Sequence, residues 1–255
     1  MYIFIDIIII IFVYMTALFL YALHKKDNSI VDVGWGIGFI IIALYSFFKA
    51  HLYLPRHYII LAMIVIWGLR ISLHILCKNW KKGEDPRYAL MRKKWGQHVV
   101  LRSFLQVFML QGLVMFIVAQ PILIINSSFD ATIGWLDITG ICVWIIGFLF
   151  EVIGDYQLLA FIKNSNNHVH ILTTGLWRYT RHPNYFGEAT MWWGIFLIAL
   201  CGYHGWTSIM SPATITFLLM YVSGVPMAEA SMKGNPEFKK YAQKTSVFFP
   251  WFSGK

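Results

Sequence analysis

Met1–Lys26 reads MYIFIDIIIIIFVYMTALFLYALHKK. Between positions 2 and 23 a single charge, Asp6, interrupts the apolar residues, and a run of that length suits a helix crossing a bilayer better than a helix in a soluble core. No basic residue precedes the run and no small-x-small cleavage site follows it, so it is expected to be a retained helix rather than a cleaved leader. Further apolar runs follow at 31–49, 57–77, 99–126, 133–162, 188–203 and 206–227. The 188–203 run is short, but the polar residues before it are expected to continue the same helix. In lipid, a helix satisfies its own backbone groups without water. The expectation is therefore an all-α integral membrane protein, a seven-transmembrane helical bundle.

Composition agrees. The chain is 58% hydrophobic and 13% charged, with a mean hydropathy of +0.61, where soluble domains carry roughly 45–50% apolar and about 25% charged residues. The length of 255 residues accommodates about seven spans of roughly 20 residues with short loops, so one membrane domain over 1–255 is expected. The net charge of +9 accompanies no nucleic-acid motif, and no nucleic-acid partner is expected. Cys77, Cys142 and Cys201 are far apart in or beside apolar runs, and are expected to be buried thiols rather than disulfides. His168 and His170 flank Val169 without carboxylate or Cys partners at ligand spacing, so no metal is expected.

The charge is informative as a topology signal. Segment 78–98, KNWKKGEDPRYALMRKKWGQH, holds seven Lys and Arg, namely Lys78, Lys81, Lys82, Arg87, Arg92, Lys93 and Lys94. Lys163, Arg178 and Arg181 lie in or beside the 163–187 connection, and Lys233, Lys239, Lys240, Lys244 and Lys255 in the tail. The alternate connections, HLYLPRH, NSSFDATIG and GYHGW, contain only Arg56. The positive-inside rule then puts the N-terminus outside and the C-terminus in the cytosol. The 78–98 segment suits an amphipathic helix on anionic lipid or a lid.

Polar residues within spans are costly and mark either function or interhelical pairing. Asp32, Arg70, His74, Glu151, Asp155, Glu188 and Glu229 stand inside or at the ends of the apolar runs. The densest block is Gly175–Glu188, GLWRYTRHPNYFGE. Pro183 suits the first turn of a helix, from which Asn184 and Glu188 share a face. Arg178, Arg181 and His182 precede that N-terminus, whose free N–H groups favour an anion, and an arginine can grip phosphate in a bidentate fork. The block reads as a phosphate site beside an amide and a carboxyl group. A basic interface loop with aromatic anchors accounts for Arg178 and Tyr179 equally well.

GLWRYTRHPNYFGE resembles the signature of the steroid 5α-reductase-like membrane reductases, in their uncharacterised bacterial DUF1295 branch. The similarity extends through DVGWG at 32–36, WGLRISLHI at 67–75, KGEDPRY at 82–88 and GDYQ at 154–157. The same broad superfamily includes distantly related membrane methyltransferases, such as those acting on isoprenylated cysteine. Asn184 followed by Glu188, Asp155 near the end of the preceding long helix, and Arg70, His74 and Lys78 at four-residue spacing match the reductases.

The resemblance implies NADPH-dependent reduction of a polarised C=C bond in a lipophilic, steroid-like substrate taken from the bilayer. It implies cofactor contacts from Arg70, Lys78, Glu151, Asp155, Arg178, Tyr179, Arg181, His182, Asn184, Tyr185, Glu188 and Glu229, with 99–255 as the cofactor-binding helices. Residues 1–98 would be the substrate-side helices and basic loop. Asp32 stands for the glutamate that those reductases pair with a tyrosine to polarise a ketone, and His74 is a second acid. Trp67 occupies the position expected for the tyrosine, and an indole donates a hydrogen bond but no proton. Pro226 stands where an arginine is expected. The resemblance further implies a bacterial inner-membrane protein with its site facing the cytosol. An S-adenosylmethionine-dependent lipid methyltransferase, and a non-catalytic lipid-binding scaffold that keeps the fold, are the alternatives.

Overall fold

The computed structural model describes residues 2–80, 82–164, 171–230, 232 and 234–252. His168 and His170, with Lys81, Lys233 and Lys255, lie outside the described residues. The described residues form helices and no strand, with one isolated bridge between Thr180 and Ser246. Six helical stretches are long and apolar enough to cross a membrane: Ile3–Lys25, Ile30–Ala50, Pro55–Asn79, Pro86–Val118, Trp135–Lys163 and Gly205–Ala230. The chain is a multi-pass integral membrane protein. The helix that was expected to make a seventh span is apolar but has 17 residues, about 25 Å at 1.5 Å per residue against a hydrocarbon core of about 30 Å.

The chain divides into two compact units, residues 1–133 with 202–208 and residues 134–201 with 209–255. In the first, α1 (Tyr2–Lys25), α2 (Ile30–Ala50) and α3 (Pro55–Asn79) are the long helices. One side of α1 is buried through Ile7, Ile11 and Met15, while Ile8, Ile9, Phe12 and Val13 are exposed, as a helix facing lipid requires. The α2–α3 contact is made through backbone. A Cβ on Gly36 would lie 2.3 Å from the Gly68 carbonyl oxygen, and one on Gly68 would lie 2.7 Å from that of Gly36. Small residues let membrane helices approach this closely.

The basic segment is not merely a surface strip. Its helix α4 (Pro86–Trp95) starts at Asp85, whose side chain accepts from the Arg87 N–H, with Pro86 in the first turn, and ends at Gly96 with φ of 51°. Tyr88 and Trp95 of α4 are buried. The path continues through α5 (Val99–Ser103), a π-helical turn at Phe104–Met109, α6 (Leu110–Val118) and α7 (Gln120–Asn126). At the start of α3, buried Arg56 donates to the carbonyls of Asp130 (3.2 Å) and Thr132 (2.7 Å), fixing the loop after α7.

In the second unit, α8 (Trp135–Asn164) runs antiparallel to α9 (Pro183–Ala199) along a seam of glycines. Cβ atoms on Gly140 and Gly147 would lie 2.6 Å from the carbonyl oxygens of Gly194 and Gly187 respectively. Gly140, Gly147 and Gly154 on α8, and Gly187 and Gly194 on α9, recur at intervals of seven. Seven residues are close to two helical turns, so each set keeps to one face. The unit is completed by α10 (Met210–Phe217), a π-helical turn at Leu218–Val222, α11 (Val225–Ala230) and α12 (Pro236–Lys244). All three cysteines are free, but Cys77 and Cys142 are exposed rather than buried. They sit in apolar helices that lipid can cover, so exposure there incurs no hydrophobic penalty.

Candidate functional site

Asp32 lies in the first turn of α2, where the helix N-terminus favours a carboxylate. Its partners come from the DPRY motif 50 or more residues downstream. The Tyr88 hydroxyl donates to Asp32 Oδ1 at 2.7 Å, and Arg87 Nη2 donates to Oδ2 at 3.0 Å. Arg87 Nε also donates to Asp85 Oδ1 at 2.9 Å, and Gln111 Nε2 on α6 reaches the Tyr88 hydroxyl at 3.3 Å. Asp32 and Tyr88 thus form a carboxylate–phenol pair braced by a guanidinium and an amide.

A second carboxylate fastens α4 from the other side. Glu84 Oε1 accepts from the Asn28 N–H (2.7 Å) and Arg92 Nη2 (2.8 Å), and Oε2 accepts from Arg92 Nε (3.0 Å). Burial pushes the Glu84 carboxyl up, but the hydrogen bonds and charge of Arg92, with the Asn28 amide, outweigh it and hold Glu84 below its ordinary range. Asn28 Nδ2 donates to Ser103 Oγ at 2.9 Å. The turn before α2, α4 and α5 are therefore one polar assembly.

Trp67 is buried on α3 and packs edge-on against Phe39, with ring centroids 5.6 Å apart. Phe39 in turn packs on Trp35 at 5.1 Å. The phenol beside Asp32 is thus Tyr88 of α4 and not a residue of α3. Arg70 and His74 are half-buried along α3 and Lys78 is exposed. All three belong to the first unit, whereas Arg178, Arg181 and His182 belong to the second.

In the second unit, Arg181 is fully engaged. Its Nε donates to Glu229 Oε1 at 2.8 Å and Nη2 to Oε2 at 3.4 Å, while Nη1 donates to the carbonyls of Ala242 (3.0 Å) and Thr245 (3.1 Å). Buried His182 places Nε2 3.0 Å from Glu229 Oε1 and stacks on Tyr185, with centroids 5.2 Å apart and planes 5° apart. Burial, helped by the Arg181 charge, pushes the His182 imidazole below its ordinary value against the opposing pull of Glu229. The ring is then neutral near pH 7, with Nε2–H donating to the carboxylate.

Further contacts bind this block to the C-terminal segment. The Arg181 N–H donates to the Ser246 carbonyl (2.9 Å), Thr180 Oγ1 donates to that of Phe248 (2.9 Å), and the Trp251 N–H donates to that of Tyr179 (2.9 Å). Tyr179 also meets the Phe252 ring. Arg181, His182, Glu229 and Tyr179 here hold the chain together, and the phosphate contact expected of Arg181 would have to displace these bonds. At the α9 N-terminus, a Cβ on Gly154 would lie 3.1 Å from the Asn184 amide nitrogen, so the α8 backbone passes close to where an anion was expected.

Asn184 and Asp155 do meet, with Asn184 Nδ2 donating to Asp155 Oδ1 at 3.0 Å. The Asn184 Oδ1 atom is buried and makes no hydrogen bond among the described residues, an unusual condition for a buried amide. Glu151 is buried on α8, its backbone against Gly187, and Glu188 is half-buried one position further along α9. An acceptor left open beside a donor-engaged amide suits a ligand bearing N–H groups, and a carboxamide such as that of nicotinamide fits this requirement. Arg178, by contrast with Arg181, has an exposed side chain.

A family model described as a protein of unknown function, DUF1295, matches residues 18–245. An uncharacterised protein of Schizosaccharomyces pombe is 23% identical over 261 residues, which cover 90% of this chain and 74% of that protein. No solved structure matches the chain.

Proposed function

The chain belongs to the DUF1295 family, and on that footing we propose that it is a membrane oxidoreductase that reduces a polarised C=C bond of a steroid-like or other lipophilic substrate with NADPH. The observation that carries this reading is the Asp32–Tyr88 pair at 2.7 Å. It restores the carboxylate–phenol couple of the steroid 5α-reductase-like enzymes, with the phenol drawn from α4 instead of α3. A substrate carbonyl that takes over the Tyr88 hydrogen bond is polarised by the phenol, while Arg87 keeps the Asp32 carboxylate in place. NADPH, when bound, supplies the hydride. Asn184 would accept from the nicotinamide amide through Oδ1, with Asp155 fixing the Asn184 rotamer. Glu151 and Glu188 would face the ribose. His74 is the second candidate acid, and Trp67 shapes the apolar wall beside Phe39.

The test uses the full chain purified into nanodiscs. NADPH is expected to raise its melting temperature and S-adenosylmethionine is not. Tyr88→Phe is expected to keep NADPH binding and lose enone-dependent NADPH oxidation. Stabilisation by S-adenosylmethionine alone would sink the reductase in favour of a methyltransferase. Binding of neither, with no effect of Asn184→Ala on lipid turnover, would favour a non-catalytic lipid-binding role.

The same reading takes α9 as a seventh span, the N-terminus outside, and the C-terminus and the site in the cytosol of a bacterial inner membrane. Its support is the segregation of basic residues to alternate connections. A cysteine introduced at His204 and labelled from outside intact cells, with one at His98 protected, is the expected pattern. The reverse labelling would overturn the orientation.

A further inference from the structure

Arg178 and Arg181 are three residues apart, yet their circumstances differ. Every donor-bearing nitrogen of Arg181 has a protein acceptor. The exposed Arg178 side chain makes no ion pair or side-chain hydrogen bond among the described residues, and lines a cavity of about 510 Å3. The opposite wall is α12, which contributes Glu237, Lys240, Tyr241, Gln243 and Lys244, followed by Thr245. Lys240 and Lys244 are four residues apart, one turn along the same helical face. Among the described lining residues, three cations, Arg178, Lys240 and Lys244, accompany one carboxylate, Glu237.

The walls are fixed. The buried Tyr241 donates its hydroxyl to the Trp177 carbonyl, and Arg181 grips the carbonyls of Ala242 and Thr245 at the end of α12. The side chain of Asn235 caps the helix start, accepting from the Glu237 N–H at 2.8 Å. Phe238 and Tyr241 supply the buried face, which leaves Lys240 and Lys244 exposed. The clamp on Arg181 thus sets the cationic wall in position without consuming Arg178, Lys240 or the volume between them.

We infer that this cavity is a binding site for a phosphomonoester dianion, held by Arg178, Lys240 and Lys244. A guanidinium fork and two ammonium groups match the oxygens and the charge of a terminal phosphate. The volume exceeds that of a bare ion and suits a larger group carrying the phosphate. No residue of α12 entered the sequence-based site, and the inference stands apart from the reductase reading. That reading supplies one source of the phosphate, the adenosine 2′-phosphate of NADPH. A lipid headgroup ending in a phosphomonoester supplies the other.

The experiment uses the full chain in neutral phosphatidylcholine nanodiscs. One arm titrates 2′,5′-ADP. The other dopes the disc with phosphatidic acid and reads the shift in melting temperature against phosphatidylglycerol, a diester. Lys240→Gln/Lys244→Gln is expected to weaken the response to one probe about tenfold. Lys239→Gln, exposed on the same helix but outside the cavity, is expected to change neither response. Loss confined to 2′,5′-ADP assigns the nucleotide. Loss confined to phosphatidic acid assigns the lipid and leaves the phosphate site standing even if the reductase reading fails. The inference is overturned if the wild-type protein responds to neither probe, or if Lys239→Gln costs as much as the double variant.

Discussion

Two polar clusters in this chain are assembled from the same ingredients and come to opposite ends. In each, a carboxylate receives a guanidinium and an aromatic hydrogen-bond donor: Asp32 receives Arg87 and Tyr88, and Glu229 receives Arg181 and His182. The Arg87 side chain is 44% exposed and its Asp32 partner 22%. The Arg181 and Glu229 side chains are 10% and 17% exposed, and backbone carbonyls take the remaining Arg181 donors. What separates the two clusters here is exposure to solvent. Residue type does not distinguish them.

The sharpest way to break that contrast is Arg181→Ala. It strands Glu229 and the carbonyls of Ala242 and Thr245, and removal of one partner from a buried pair costs about 3–5 kcal/mol. A large fall in melting temperature is expected. Arg181→Lys should rescue little, because an ammonium group cannot span both Glu229 oxygens and the two carbonyls. A mild effect of Arg181→Ala would show that the second cluster is not a clamp.

Gly187→Leu is expected to come next. Its Cβ would meet the Glu151 nitrogen and the Gly147 oxygen at 2.5 Å, and such overpacking costs about 1–3 kcal/mol. Thermal unfolding measures it, and Ala in place of Leu should be milder yet still destabilising. Tyr88→Phe removes the bonds to Asp32 and from Gln111 and should cost stability about 1–3 kcal/mol, the ordinary value of two hydrogen bonds. On the reductase reading it should lower turnover about a hundredfold or more. A loss of stability from Tyr88→Phe comparable to that of Arg181→Ala would erase the distinction between the clusters.

The smallest effect is a pH dependence. His182 has a folded-state pKa below its ordinary value of 6.5, through burial and the nearby Arg181 charge. The unfolded chain therefore takes up the proton first as pH falls, and protonation favours unfolding. Its contribution to stability is complete above the ordinary value and declines as pH drops through and below it. Melting temperatures from about pH 8 to about pH 5 should show that slope, and His182→Asn should flatten it.

Much of this was legible in the sequence. The apolar runs located the long helices, Pro183 marked the start of α9, and the resemblance named Asp155 and Asn184, which the fold brings together. The partner of Asp32 was not legible. Tyr88 stands 56 positions away in a segment dense with lysine and arginine, and no periodicity ties its phenol to the start of α2. Arg178 and Arg181 are equivalent in a linear reading, since only the folded C-terminal segment reveals which of them is engaged. The glycine seam did leave a trace, glycines at intervals of seven on two successive helices, but within long apolar runs hydropathy masks it. The separation into units after Ile133 has no compositional mark.

The seam also acts as a ruler. Two glycine contacts, Gly140 with Gly194 and Gly147 with Gly187, leave α9 one register along α8, and Asp155 lies eight positions beyond Gly147. One residue inserted between Gly147 and Asp155 would leave both glycine contacts intact yet swing the carboxylate about 100° around the helix, away from Asn184. Seven inserted residues would return it to nearly the same azimuth, about two turns too far along. The polar pair is therefore indexed by chain length in α8, and length variation should be tolerated in the loops of this protein long before it is tolerated between those two positions.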